Sequence, residues 1–246
     1  MSEEVIILMV IVLIASLLQT STGYGFSIIG TPFLLFLYPP QTAIQINIIL
    51  SICLSAFMIR TIRNEIDRSM LLQLVKGSIP GLLCGIFIYL FLDIRLLKMA
   101  VGALILLLTV LLMLQFTMSR TQNRDLLAGG ISGALTTSIG VPGPPLLLYF
   151  SGARIDQITL RSTTLAYYLF VYAASLIMQI ALGGTSKETW ILSMSAIPAL
   201  FIGIVMGQLS SKWISQNTFR RVTYGILLCT GIYLLFTGLI SEVPVQ

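Results

Sequence analysis

Arg161 is the charged side chain that stands closest to the interior of a long apolar stretch. In "DQITLRSTTLAYY" it follows Gln157 by four residues, about one helical turn, with Ser162, Thr163 and Thr164 beside it. An arginine entering a membrane costs at least about 2.5 kcal/mol and is received either by a polar interior or by headgroups. Arg161 with Thr163 is therefore a candidate counter-charge for an anion, the alternative being that it snorkels to the cytoplasmic headgroups. At a spacing of 116, the earlier stretch "QTAIQINII" carries Gln45 and Asn47 where the later one has Arg161 and Thr163.

Two glycine-containing breaks offer the other polar groups. "TSTGYG" follows the apolar run "VIILMVIVLIASLL" and brings Ser21, Thr22, Gly23, Tyr24 and Gly25 to where a membrane helix should still be crossing lipid. Its counterpart "TTSIGVPGPP" contains Thr137, Ser138, Gly140 and Gly143. A broken helix exposes backbone N–H and C=O groups that cost several kcal/mol each in hydrocarbon, so each break should face protein or a cavity. Glycine allows the turn and a close approach, and the hydroxyls supply donors. Short helices starting near Phe26 and Pro144 would aim positive N-terminal ends into that cavity, which favours an anion.

The residues that are absent narrow the chemistry. There is no histidine, and the nine Asp and Glu fall in expected loops or span ends. Ser-His catalysis, histidine-based metal sites and a membrane-embedded aspartate pair are excluded on that count, as is P-loop hydrolysis by the lack of a GxxxxGK[ST] motif. The expectation is a protein that is not an enzyme and calls for no cofactor and no metal. With no mid-membrane carboxylate to carry a proton, Na⁺ coupling, a proton travelling with the substrate, or facilitated diffusion remain. Cys53, Cys84 and Cys229 lie far apart in apolar runs, as packing residues do.

These groups need elements to hold them, and the composition says that lipid is the solvent. Hydrophobic residues make up 57% of the 246 positions and charged ones 9%, against about 25% charged in an ordinary soluble domain. Charge-free runs at 5–59, 126–153 and 162–186 each exceed the ~20 residues that span a bilayer. The fold class is an all-α polytopic membrane protein with about 8–10 membrane segments: 5–22, 26–37, 42–60, 70–92, 97–116, 125–139, 143–152, 157–182, 189–209 and 217–239. Segments 26–37 and 143–152 are too short to cross, at about 18 Å and 15 Å of helix, so each pairs with the preceding segment as a hairpin. Six full crossings remain. The acidic "MSEE" lacks the positive n-region of a secretory signal, so the first apolar segment is expected to be retained.

Eleven of the 14 Lys and Arg fall on one side if the 61–69 loop is cytoplasmic, which places both termini outside. These loops account for the net charge of +5 without nucleic acid as a partner. The chain also repeats itself. "IPGLLCGI" at 79–86 matches "IPALFIGI" at 197–204 in five of eight positions, and "KMAVGALIL" at 98–106 corresponds to "RVTYGILLC" at 221–229. Residues 1–118 and 119–246 are thus read as two repeats, each a broken-helix hairpin plus three transmembrane helices, together one membrane domain. An odd number of crossings per unit inverts the second, an architecture in which broken helices meet around substrate. "GLLCG" and "GIVMG" are G-x-x-x-G matches, for packing within the chain or for a homodimer.

With its two glycine breaks, the second of the form "SIGVPGPPLL", and the "RSTT" segment that follows, the chain resembles the TauE/SafE family of sulfite and organosulfonate exporter-like permeases over essentially its whole length. The resemblance implies transport across the bacterial inner membrane of small sulfur-containing anions such as sulfite, sulfonates or sulfoacetate. An anion channel or uniporter would use the same hairpins, and a non-transporting membrane scaffold is the third class.

Overall fold

The computed structural model describes residues 3–22, 26–91, 93–114, 120–151, 157–210 and 216–240. They form ten α-helices and one 3₁₀ turn, Arg63–Glu65, with no strand among the described residues. The helices are α1 (Glu3–Thr22), α2 (Phe26–Leu37), α3 (Pro40–Ile62), α4 (Arg68–Phe91), α5 (Ile94–Met113), α6 (Gln122–Ile139), α7 (Gly143–Ser151), α8 (Gln157–Gly183), α9 (Lys187–Ser210) and α10 (Gln216–Ile240). No boundary departs from the sequence reading by more than three residues.

Local chemistry explains several of those boundaries. The Asp67 carboxylate accepts the Met70 N–H at 3.0 Å and opens α4, and the Ser186 hydroxyl accepts the Thr189 N–H at 3.1 Å and opens α9. Thr121 caps α6 in the same way, and Pro40 occupies the first position of α3, where no backbone donor is needed. Beyond the end of α8, Gly184 takes a left-handed φ of 76° that turns the chain into α9.

Among the described residues, five helices are long and apolar enough to cross a membrane: α1, α3, α4, α8 and α9. Shorter apolar stretches at Lys98–Leu111 and Leu227–Leu239 lie in α5 and α10. The chain is a multi-pass membrane protein. α1, expected as one arm of a hairpin, is itself about 30 Å long at 20 residues, so its break comes only after a near-complete traverse.

Two pairs of helices pack backbone to backbone. Gly77, Gly81 and Gly85 of α4 face Leu126, Gly130 and Ala134 of α6, always 49 positions apart, so the two helices run parallel. Gly203 and Gly207 of α9 face Leu13 and Leu17 of α1, again in parallel. A methyl group at Gly77 or Gly81 would collide with the carbonyl oxygen opposite, which is why these positions carry glycine. Both G-x-x-x-G patterns are therefore occupied inside the chain. α5 and α10 pair antiparallel, with Gly102 against Gly231 and Met99 against Gly238, and α3 lies along α8.

Hydrogen bonds define the two ends of the bundle. At one end, Ser162 donates to the Glu65 carbonyl at 2.8 Å, the Asp67 N–H donates to Thr163 Oγ1 at 2.9 Å, and Arg120 pairs with Asp67 at 2.8 Å. At the other, Gln45 Nε2 donates to the Gly184 carbonyl at 2.8 Å and Arg95 to that of Gly238 at 3.0 Å. α3 and α8 thus cross in opposite directions. Single cysteines at Asn64 and Thr185 in an otherwise cysteine-free protein should label from the cytoplasmic and the external side respectively. Labelling of both from one side would overturn this assignment.

Candidate functional site

The second break shows how a helix can stop inside the bundle. α6 ends at Ile139, and Gly140 adopts φ 75°, a left-handed turn that costs glycine nothing. Its N–H bonds the Thr136 carbonyl at 2.8 Å, and the Val141 N–H bonds that of Leu135 at 3.3 Å. Side chains meet the carbonyls that follow. Gln179 Nε2 donates to Thr137 at 2.7 Å, Asn47 Nδ2 to Gly140 at 2.8 Å, and Ser132 Oγ to Pro142 at 2.9 Å. Two of those donors come from other helices, α8 and α3, so the break is held by the bundle rather than by its own hairpin alone. The Thr137 hydroxyl pairs with Ser175 at 2.8 Å, and Ser138 bonds the Ala134 carbonyl of its own helix at 2.7 Å.

The first break is bracketed in the same way. The Arg161 guanidinium donates to the Thr20 carbonyl in the last turn of α1. Gln19 Oε1 accepts the N–H of Phe26, the first residue of α2, at 2.9 Å. The Ser21 hydroxyl bonds the carbonyls of Leu17 at 2.8 Å and Gly207 at 3.1 Å, so it serves the contact with α9. Gly23, Tyr24 and Gly25 lie outside the described residues, as does the side chain of Thr22.

The two breaks come together through their short helices. Ile28, in the first turn of α2, lies against Gly143, where a Cβ would be 3.2 Å from the Ile28 Cδ1 and 3.3 Å from the Tyr168 hydroxyl. Asn47 sits between Gly30 of α2 and Gly140, each of which would place a Cβ within 3.1 Å of its amide. Tyr172, fully buried, lies beside Ser27 and Ser51. Of the expected site residues, Asn47, Gly140, Gly143, Thr137 and Arg161 thus serve the breaks. Gln45 and Thr163 tie opposite ends of the bundle instead, as described above.

Gln19, Ser175 and Gln179 are not among the residues singled out from the sequence. A signal did exist in α8, where Arg161, Tyr168, Tyr172, Ser175 and Gln179 recur at intervals of 7, 4, 3 and 4 and so share one helical face. That face meets the first break at Arg161 and the second at Gln179, 18 residues or about 27 Å of helix apart.

Beneath the site lies a charged cluster. Arg120 contacts Asp67 at 2.8 Å and Asp125 at 3.5 Å, and the Tyr149 hydroxyl of α7 donates to Asp125 at 2.7 Å. Burial alone would raise the Asp67 carboxyl, but the Met70 amide and Arg120 outweigh it and hold it below the usual range. This ties the α6–α7 hairpin to the start of α4.

Removing the donor at the second break should be measurable. Gln179→Leu leaves the Thr137 carbonyl without its side-chain donor, and unmet buried acceptors cost about 1–3 kcal/mol, so the purified variant should show a lower Tm than wild type. An unchanged Tm would mean that the break does not depend on α8.

Comparison with known proteins gives the same direction. Residues 8–234 match the family described as sulfite exporter TauE/SafE. The chain is similar to the probable sulfite/organosulfonate exporter TauE of Cupriavidus necator, at 23% identity over 229 residues covering 90% of each chain. No solved structure matches it. With a match that extends from the first helix into the last, the chain belongs to the TauE/SafE sulfite exporter family.

Proposed function

We propose that the protein is a secondary carrier that moves a small sulfur-containing anion, sulfite or an organosulfonate, across the inner membrane of a bacterium. The observation that carries this reading is the meeting of the two short helices at Ile28 and Gly143, with Arg161 at the end of α1. Each helix start presents the positive end of its dipole, α2 with the free N–H groups that follow Phe26 and α7 with those of Gly143 and Leu146 on either side of Pro144 and Pro145, and a sulfonate presents three oxygens to accept them. A guanidinium adds a fork that matches such oxygens. The site comprises Gly140, Gly143 and Arg161, with Asn47 holding the break in place through the Gly140 carbonyl and Tyr168 and Tyr172 as an aromatic wall for the organic part.

The carrier reading includes two inverted repeats, 1–118 and 119–246. Helix packing supports it independently of sequence matching. Exchanging α1–α5 with α6–α10 converts the pair α1/α9 into α6/α4, α3/α9 into α8/α4, and α2/α10 into α7/α5, and every one of these pairs is in contact. The pairs α3/α8, α5/α10 and α2/α7 map onto themselves, as a two-fold axis requires. Hairpins so related can open alternately to either side around a fixed site. The end that holds Asp67 and Arg120 is the cytoplasmic one.

The charge of Arg161 is the testable part. Arg161→Gln keeps an N–H donor for the Thr20 carbonyl but removes the cation, so the fold should survive while sulfite or sulfonate affinity falls about ten- to a hundredfold, as for a charge-assisted bond of ~1.5–3 kcal/mol. Arg161→Lys should recover part of the loss. The measurement is ligand-induced thermal stabilisation, followed by uptake into liposomes. Unchanged affinity in the glutamine variant would move Arg161 out of the site and leave it a structural cap.

A further inference from the structure

The interface between α2 and α3 contains buried oxygens that the anion reading does not use. On α3, Asn47, Ser51 and Ser55 recur every four residues and share one face. Each is at most 2% exposed, and Asn47 Oδ1, Ser51 Oγ and Ser55 Oγ have no hydrogen-bond partner. On α2, Thr31 is 2% exposed with its hydroxyl also unpartnered, and it lies one turn beyond Ser27, which sits beside Tyr172 together with Ser51. Gly30, next to Thr31, is the residue against which Asn47 Oδ1 lies.

The asymmetry of Asn47 decides what chemistry fits. Its nitrogen is fixed on the Gly140 carbonyl at 2.8 Å, which leaves the amide oxygen, a group that can only accept, turned toward α2. An anion is repelled there. Thr31 and Ser51, on the two packed helices, add buried hydroxyl lone pairs, and oxygen ligands of this kind suit a hard cation. Neither α2 nor α3 contains a carboxylate, so the set carries no charge with which to dehydrate a divalent ion. Hairpin packing as such does not call for these groups: at the spacing of 116, Ser51 and Ser55 correspond to Tyr167 and Val171 in the second half.

We propose that Asn47 Oδ1, Ser51 Oγ and Thr31 Oγ1 form a binding site for a small monovalent cation of the Na⁺ class, and that this ion accompanies the anion. The inference rests on the carrier reading for its role but not for its binding. A cation beside Asn47 lies next to the break that contributes to the anion site, and in a low-dielectric interior its charge offsets that of the substrate. Asn47 then touches both events: its nitrogen holds the break and its oxygen holds the ion.

The test uses full-length purified protein without substrate, titrated with NaCl, KCl or choline chloride at constant ionic strength, with Tm as the readout. Na⁺ should stabilise saturably, and choline should not. Ser51→Ala removes a hydroxyl that lies beside Tyr172, so its Tm in choline gives the structural cost of the change, while its half-saturating Na⁺ concentration should rise about tenfold or more, as for one lost ion–dipole contact. Thr31→Val should act in the same direction. Equal shifts in all three salts, or an unchanged Na⁺ midpoint in Ser51→Ala, would overturn the site. Adding sulfite to the same samples separates the two readings. A sulfite shift without a Na⁺ effect leaves the anion carrier standing alone, and a Na⁺ shift without any response to sulfite or sulfonates leaves the cation site and removes the substrate assignment.

Discussion

A peptide carbonyl that ends a helix inside lipid has no water to turn to, and the rest of this structure is arranged around meeting that demand. Around the second break, the carbonyls of Leu135, Thr136, Thr137, Gly140 and Pro142 each accept a hydrogen bond. The donors are a glycine turn, a serine about two helical turns before the end of α6, and amide side chains from α3 and α8. At the first break Arg161 donates to the Thr20 carbonyl, and Gln19 Oε1 accepts the N–H of Phe26 that opens α2. Each unmet group would cost several kcal/mol in hydrocarbon, so these few polar residues outweigh many apolar contacts in fixing where the hairpins stop. They also leave chemistry behind: an amide that gives its nitrogen to a carbonyl keeps its oxygen for something else.

Glycine supplies the other constraint. In lipid no hydrophobic effect drives helices together, so close backbone approach and dispersion have to do it. The parallel pairs α4/α6 and α1/α9 obtain this from Gly77, Gly81, Gly85, Gly203 and Gly207, and each pair joins a long unbroken helix to one that ends in a break. The broken helices therefore have rigid partners along their length, while their returning arms α2 and α7 meet only near their starts. α8 runs between the two arrangements, touching α1 through Arg161 and α6 through Gln179.

Helices and breaks were legible in the sequence because they depend on local properties, namely apolar run length, glycine and proline. The partners were not. Gln19 and Gln179 read as isolated polar residues in apolar runs, and only the folded chain brings them to Phe26 and Thr137. Gln45 and Asn47 looked equivalent from spacing, yet two residues on a helix differ by about 200° in direction, and Asn47 alone reaches a break while Gln45 serves the turn after α8. Ser21 was expected at a cavity and instead bonds α9, since a hydroxyl at a helix end can bond back to its own turn as easily as outward. Arg161 was left between two placements, and its guanidinium donates to the Thr20 carbonyl at the end of α1.

The pairing of α1 with α9 has a consequence for how the protein is made. Leu13 and Leu17 contact residues 190 positions later, whereas α4 and α6 are separated by 49. At a synthesis rate of about 5–20 residues per second, the second pair can form within roughly 10 s, but α1 must wait on the order of 10–40 s for its partner to emerge. During that interval Ser16, Gln19 and Thr20 have no α9 or α8 to cover them. α1 thus waits longer for its partner than α4 or α5 does, and lipid or an insertion factor has to shelter its polar end until then.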